Sequence, residues 1–243
     1  MTLVFKTSSV RGGSYVHQSP WIVDVYNHFF KEKHDGYLVE LGVGHVLDWQ
    51  SMGCRPKLMD ASEYKKLAVR GWSNTIELIE NGWSGIYVDP MEELIQNELK
   101  PLIESLIPPE RYQDVKMVCC GASDDNYIAK VIDCETINIV EKDTNQELPP
   151  IDVPYIWKNR LVKCRKTSDI LSELNCPTNI DVMSIDVEGH ELHAIRGLNF
   201  DLHKPKLMIV ETDKVSKEDV QSILPSNYKL VAFDYLNSIF WAE

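Results

Sequence analysis

The amino-acid sequence predicts an α/β fold: one domain, residues 1–243, on a mostly parallel seven-stranded sheet with helices on both faces and an antiparallel hairpin at its C-terminal end. Three observations lead there. Five short runs rich in Val and Ile are apolar at odd and even positions alike, the pattern of strands covered on both faces. Stretches of helical period separate them, so the connections are crossovers and the sheet is largely parallel. The last two runs are joined by only a few residues, too few for a crossover helix.

Residues 1–36 are extra to a minimal sheet and read as an N-terminal extension. The first strand is Tyr37-Leu38-Val39-Glu40-Leu41. A helix follows over Ser73 to Glu80, with Ile76 and Ile79 on its apolar side, a cap at Ser73 or Asn74, and a left-handed stop at Asn81-Gly82. The second strand is Ile86-Tyr87-Val88-Asp89. From Met91 to about Ile107, Leu94, Ile95, Leu99, Leu102, Ile103 and Leu106 recur near the helical period; Pro101 predicts a kink or break and Pro108-Pro109 a stop.

Lys116-Met117-Val118-Cys119-Cys120 is the third strand. Residues 127–159 fit the alternation poorly, mixing a two-stranded stretch from Ile128 to Val140 with the Pro-rich Leu148 to Pro154. They read as a lid or insertion, or else as a disordered link. The fourth and fifth strands are Asp181 to Asp186 and Lys206 to Glu211. Tyr228 to Asp234 and Ser238 to Ala242 form the hairpin, with Asn237 in its connection.

A content of 44% hydrophobic and 26% charged residues is that of a soluble globular chain, which excludes fibrous and disordered classes. The net charge of −12 argues against a nucleic-acid partner, whose phosphates need clustered Lys and Arg. One basic cluster, Lys158, Arg160, Lys163, Arg165 and Lys166, runs against this trend and reads as a solvated face or an anion-binding segment. No membrane span is present, and Met1 to Lys6 lacks the apolar stretch of a secretory signal, so the expected location is the cytoplasm. The six cysteines show no Cys-x-x-Cys pair and are expected as reduced thiols, with Cys119-Cys120 in the core.

Chemistry concentrates where the apolar run Val182-Met183-Ser184-Ile185 stops at Asp186-Val187-Glu188-Gly189-His190-Glu191. A buried strand that ends in three carboxylates and an imidazole delivers ionisable groups to the open end of a sheet, where α/β proteins place ligands. The alternative is a solvated loop whose acids, Glu188 and Glu191, merely lie near the positive end of the next helix.

At the first strand, Glu40-Leu41-Gly42-Val43-Gly44 places an acid before glycines that allow close backbone approach to a ligand. A dinucleotide site would want a third glycine where Leu47 stands, and an acid far sooner than Asp89. S-adenosyl-L-methionine carries a ribose and an ammonium but no phosphate, so acidic strand tips and one glycine turn suffice for it. Asp89 then accepts from the ribose, and Gly121-Ala122-Ser123-Asp124 edges the adenine, with Asp124 accepting from the amine; Asp124 is equally well placed as a turn-former.

Tyr37 to Gly42, Ser73-Asn74-Thr75, Gly82-Trp83-Ser84-Gly85, Val88-Asp89-Pro90, Gly121 to Asp124 and Ile185 to Glu191, in this order, resemble the FkbM family of methyltransferases, as do Arg196-Gly197-Leu198 and Val210-Glu211-Thr212. The resemblance implies a Rossmann-like methyltransferase sheet and methyl transfer from S-adenosyl-L-methionine to oxygen, often a sugar hydroxyl. The expected cofactor-binding residues are Glu40, Gly42, Gly44, Asp89, Gly121, Ala122, Asp124 and Asp186. The expected catalytic residues are His190 as base, Asp186 and Glu188. Asp186 and Glu211, ending adjacent strands, are suited to share Mg²⁺ through oxygen. The partner is a small-molecule or glycan acceptor, with Trp49, Trp72, Trp83 or Trp157 either stacking on it or lying in the core. The competing readings are an NAD-dependent oxidoreductase and a non-catalytic cofactor-binding module.

Overall fold

The computed structural model describes residues 22–31, 33–44, 73–131, 160–233 and 236–243. Seven strands form the main sheet: β1 Tyr37–Leu41, β2 Ser84–Asp89, β3 Val115–Cys119, β7 Asn179–Ile185, β8 Lys204–Glu211, β9 Tyr228–Phe233 and β10 Asn237–Ala242. Their order is β3-β2-β1-β7-β8-β10-β9. The first five are parallel, while β10 runs antiparallel between β8 and β9. The predicted hairpin is therefore present, and its second strand is the one that joins it to the parallel sheet.

Strands apolar on both parities follow from two cores. Leu38, Tyr87, Val182 and Leu207 point into one with Ile22, Ile79 and Trp83; Val39, Leu41, Ile86, Val88, Met183 and Ile185 point into the other with Ile170, Ala194 and Ile195. Each buried Ile, Leu or Val contributes roughly 1.5–3 kcal/mol, which sets the register firmly, because a one-residue slip would exchange the two faces.

The predicted break at Pro101 takes the form of a π-helical segment, Ile95–Leu99, between the helices Glu92–Leu94 and Lys100–Leu106. Proline lacks the N–H that an α-helical turn would use, and the widened turn before it absorbs the mismatch. The next helix toward the N-terminus, Ile76–Glu80, is capped by Thr75 rather than by Ser73 or Asn74, and without a side-chain cap bond, while Ser73 Oγ accepts from the Ile76 N–H at 3.2 Å just ahead of it.

Residues 121–131 and 160–166 differ from the simple alternation. β4 Gly121–Ser123, β6 Arg160–Lys166 and β5 Tyr127–Val131 form a second sheet in the order β4-β6-β5. From Arg160 on, the basic segment is thus a strand, with Val162 and Cys164 buried and Lys163 and Lys166 facing out; Lys158 lies outside the described residues. Arg165 pairs with Glu173. Of the expected core pair, Cys120 is buried but Cys119 is exposed, because the chain leaves the main sheet between them. No helix among the described residues is long and apolar enough to cross a membrane.

Candidate functional site

Strand register builds the site. Leu41 lies opposite Val88 on one side and Ile185 on the other, and Ile185 lies opposite Val210. The next residue on each strand is Gly42, Asp89, Asp186 and Glu211, so four of the expected residues reach one rim at the same level. Between β1 and β7 the sheet order reverses, the place where open α/β sheets take ligands. Gly42 and Gly44 both have positive φ, 78° and 61°, and turn the chain sharply over this seam.

Asp89 holds that turn. Its Oδ2 accepts from the Val43 N–H at 3.0 Å and the Gly44 N–H at 3.4 Å, and its Oδ1 accepts from Met91 at 2.8 Å. Glu40, 1% exposed, lies beneath. Its Oε2 accepts from Ser73 Oγ at 2.6 Å and Thr75 Oγ1 at 2.7 Å, and its Oε1 accepts from the Asn74 N–H at 2.8 Å. Burial pushes the Glu40 carboxyl up to about 7 despite these three bonds, and the Asp186 charge adds to the rise. Asn74 in turn donates to Ser184 on β7. The segment Ser73-Asn74-Thr75 is therefore a strap that ties β1 to β7 from one side.

Asp186, Glu191 and Glu211 form a carboxylate cluster, one oxygen from each lying within 4.8 Å of the others. Glu191, 1% exposed, is folded back by the left-handed pair Glu188 and Gly189. Its Oε1 accepts from Val187 at 3.1 Å and Gly189 at 2.9 Å. Burial pushes Glu191 up to about 7, and burial followed by the Asp186 charge holds Glu211 well above the usual carboxylate range. Asp186 is the most exposed of the three.

The other expected residues separate from this cluster. His190 is buried, and its Nε2 lies 2.9 Å from both Ser123 Oγ and Tyr127 Oη, on the second sheet. Its ring stacks on His193 at 4.2 Å, and His193 Nδ1 lies 2.9 Å from Asp124 Oδ2. Burial raises Asp124, but the His193 hydrogen bond and charge outweigh it and hold the carboxyl below its usual value. Glu188 forms an ion pair with Lys214 at the surface. Gly121 and Ala122 lie in β4, where a Cβ on Gly121 would come 2.9 Å from Cys164 Sγ, so packing against β6 explains that glycine. Trp83 is core, 1% exposed, and its Nε1 donates to the Lys33 carbonyl. Trp49, Trp72, Trp157 and residues 132–159 lie outside the described residues.

Sequence reasoning placed Glu191 in the acid cluster and Ser123 in the segment beside the adenine without a role for either side chain, and gave Tyr127 none. Glu191 carried a signal, since Gly189 at the turn can return the chain on itself; the two hydroxyls carried none, because only sheet-to-sheet packing brings them to His190. A cleft of about 520 Å³ opens at the opposite end of β7 and β8, lined by Asn179, Asp181, Phe200, Lys204 and Tyr228 among others, and contains no rim residue.

The methyltransferase FkbM domain matches residues 60–239. The chain belongs to that family. A solved structure of "Methyltransferase FkbM from Methylobacillus flagellatus KT" is similar over 86% of this chain, at 14% identity and a TM-score of 0.49. The alignment covers 44% of that longer chain. No curated protein matches.

Proposed function

We propose that this protein transfers a methyl group from S-adenosyl-L-methionine to an oxygen of a small-molecule acceptor, a hydroxyl of a sugar or glycan-like compound. One observation carries the reading: the glycine turn emerges at the reversal between β1 and β7 with Asp89 and Asp186 on either side. The family match supports methyl transfer over hydride transfer, and the motif resemblance supports oxygen as the acceptor atom.

The donor set fits the cofactor. The Gly42–Gly44 turn stands between Asp89 and Asp186, and carboxylates there suit a ligand with a sulfonium and an ammonium. Asp89 would receive the ribose hydroxyls, Gly42 and Gly44 would let the backbone approach, and Gly121, Ala122 and Asp124 would flank the base. Glu40 acts through the Ser73–Thr75 strap and is a positioning residue. When bound, the cofactor supplies a methyl carbon already activated by its sulfur.

The chain's remaining task is to align an alcohol and remove its proton. Asp186, the carboxylate of the cluster nearest solvent, takes that proton. His190 holds Ser123 and Tyr127 in place beside the site, and Glu188 anchors Lys214. Calorimetric titration with S-adenosyl-L-methionine or its demethylated product should give saturable heat at one site per chain, and NADH none. Absence of heat and of any thermal shift at millimolar ligand ends this reading.

A further inference from the structure

We propose that Asp186, Glu191 and Glu211 hold a hard divalent cation, Mg²⁺ or Mn²⁺, at the ends of β7 and β8. Two independent observations support it. The first is spacing: the three oxygens lie within 4.8 Å of one another, and oxygens on one small cation are at most about 4–5 Å apart, twice a metal–oxygen bond of about 2.0–2.5 Å. The second is an orphaned acceptor. Glu191 is 1% exposed, its Oε1 is occupied by two backbone N–H groups, and its Oε2 is buried with no hydrogen-bond partner among the described residues. A carboxylate oxygen left so is costly unless something positive meets it.

Among the described residues none gives that oxygen a hydrogen bond, although the Lys214 charge reaches Glu211. Lys214, adjacent in the fold, is bonded to Glu188 on the outer side of the loop. The donor set is oxygen only, which selects Mg²⁺ or Mn²⁺ over thiolate- and imidazole-seeking metals. Three protein ligands leave positions for water and for an incoming hydroxyl. In that role the inference rests on the proposed function: a cation held there would make the acceptor hydroxyl more acidic, and Asp186 would receive its proton.

Binding can be tested apart from activity. Mn²⁺ is titrated into the full chain and its free-ion electron paramagnetic resonance signal followed, with Mg²⁺ as competitor and S-adenosylhomocysteine calorimetry on the same samples. The expected result is one Mn²⁺ per chain, displaced by Mg²⁺, with affinity at least tenfold weaker in Glu211→Gln and in Glu191→Gln. Glu173→Gln, which removes a distant surface carboxylate, should bind within twofold of the parent. Since Glu191 also holds its loop, Glu211→Gln decides if Glu191→Gln does not fold. Absence of saturable Mn²⁺ binding, or equal affinity in all variants, overturns the proposal. Cofactor heat without Mn²⁺ binding would reject the cation site alone, whereas Mn²⁺ binding without cofactor heat would reject the methyl-transfer reading.

Discussion

Gly42 and Asp186 meet backbone to backbone across the seam between β1 and β7: a Cβ on Gly42 would lie 1.6 Å from the Asp186 carbonyl oxygen. Neither partner can retreat, because Gly42 donates to Val88 at 2.8 Å and Asp186 donates to Leu41 at 2.9 Å. With φ at +78°, any side chain at Gly42 is also in left-handed backbone.

Gly42→Ala should therefore cost more than about 4 kcal/mol or prevent folding, the range reserved for severe core clashes. Gly189→Ala is the comparison, with φ at +95° but nothing nearer than the flexible Lys214 Cδ at 3.4 Å. Left-handed strain alone predicts about 1–2 kcal/mol there. Urea denaturation of both variants measures the contrast, and equal small losses would show that the seam opens easily.

Asp89→Ala removes the acceptor for three backbone N–H groups of the rim. Affinity for S-adenosylhomocysteine should drop tenfold or more, since leaving buried donors unmet costs about 1–3 kcal/mol. Asp186→Asn should leave that affinity nearly intact and lower kcat by about a hundredfold or more, the scale of a lost general base. If Asp186→Asn loses the ligand and Asp89→Ala keeps it, the two roles are reversed.

Glu40 makes stability depend on pH. Its folded value of about 7 exceeds the ordinary 4.5, so folding favours the protonated form. That stabilisation is complete below about pH 4.5 and disappears as pH rises through 7, on the order of 3 kcal/mol in all. Glu40→Gln does not titrate. The stability of the parent minus that of Glu40→Gln should therefore fall between pH 4.5 and 7.5, as read by denaturation at several pH values. A constant difference would mean the strap keeps this carboxylate ionised throughout.

Thr75→Val removes one hydroxyl donor from the buried Glu40 Oε2. A cost of about 1–3 kcal/mol is expected, with the Glu40 titration moved further up, because hydrogen bonds to the charged form are what restrain it. Lys214→Ala breaks a partly exposed pair with Glu188 and should cost less than about 1 kcal/mol. Thermal melts at neutral pH compare the two, and an inverted ranking would refute the importance assigned to the strap.

Strand tips were legible in the sequence because burial on both faces writes an unbroken apolar run that stops at an acid. Asp89, Asp186 and Glu211 stand at such ends and Glu40 one residue before one, and the hairpin followed from its short connection. Local pattern also located the stop at Gly82 and the disturbance at Pro101. What it could not express was pairing between distant segments: that Ser73, Asn74 and Thr75 close on Glu40, that Arg160–Lys166 runs beside Tyr127–Val131, or that His190 is held by Ser123 and Tyr127. Those relationships depend on the register of the main sheet and the handedness of the loop at Glu188-Gly189, which turns Glu191 inward and Glu188 outward. Amino-acid order by itself determined which chemical groups reach the rim; three-dimensional packing decided which face one another, because contact energies act across space whereas periodicity reports only each residue's exposure to its own side of the chain.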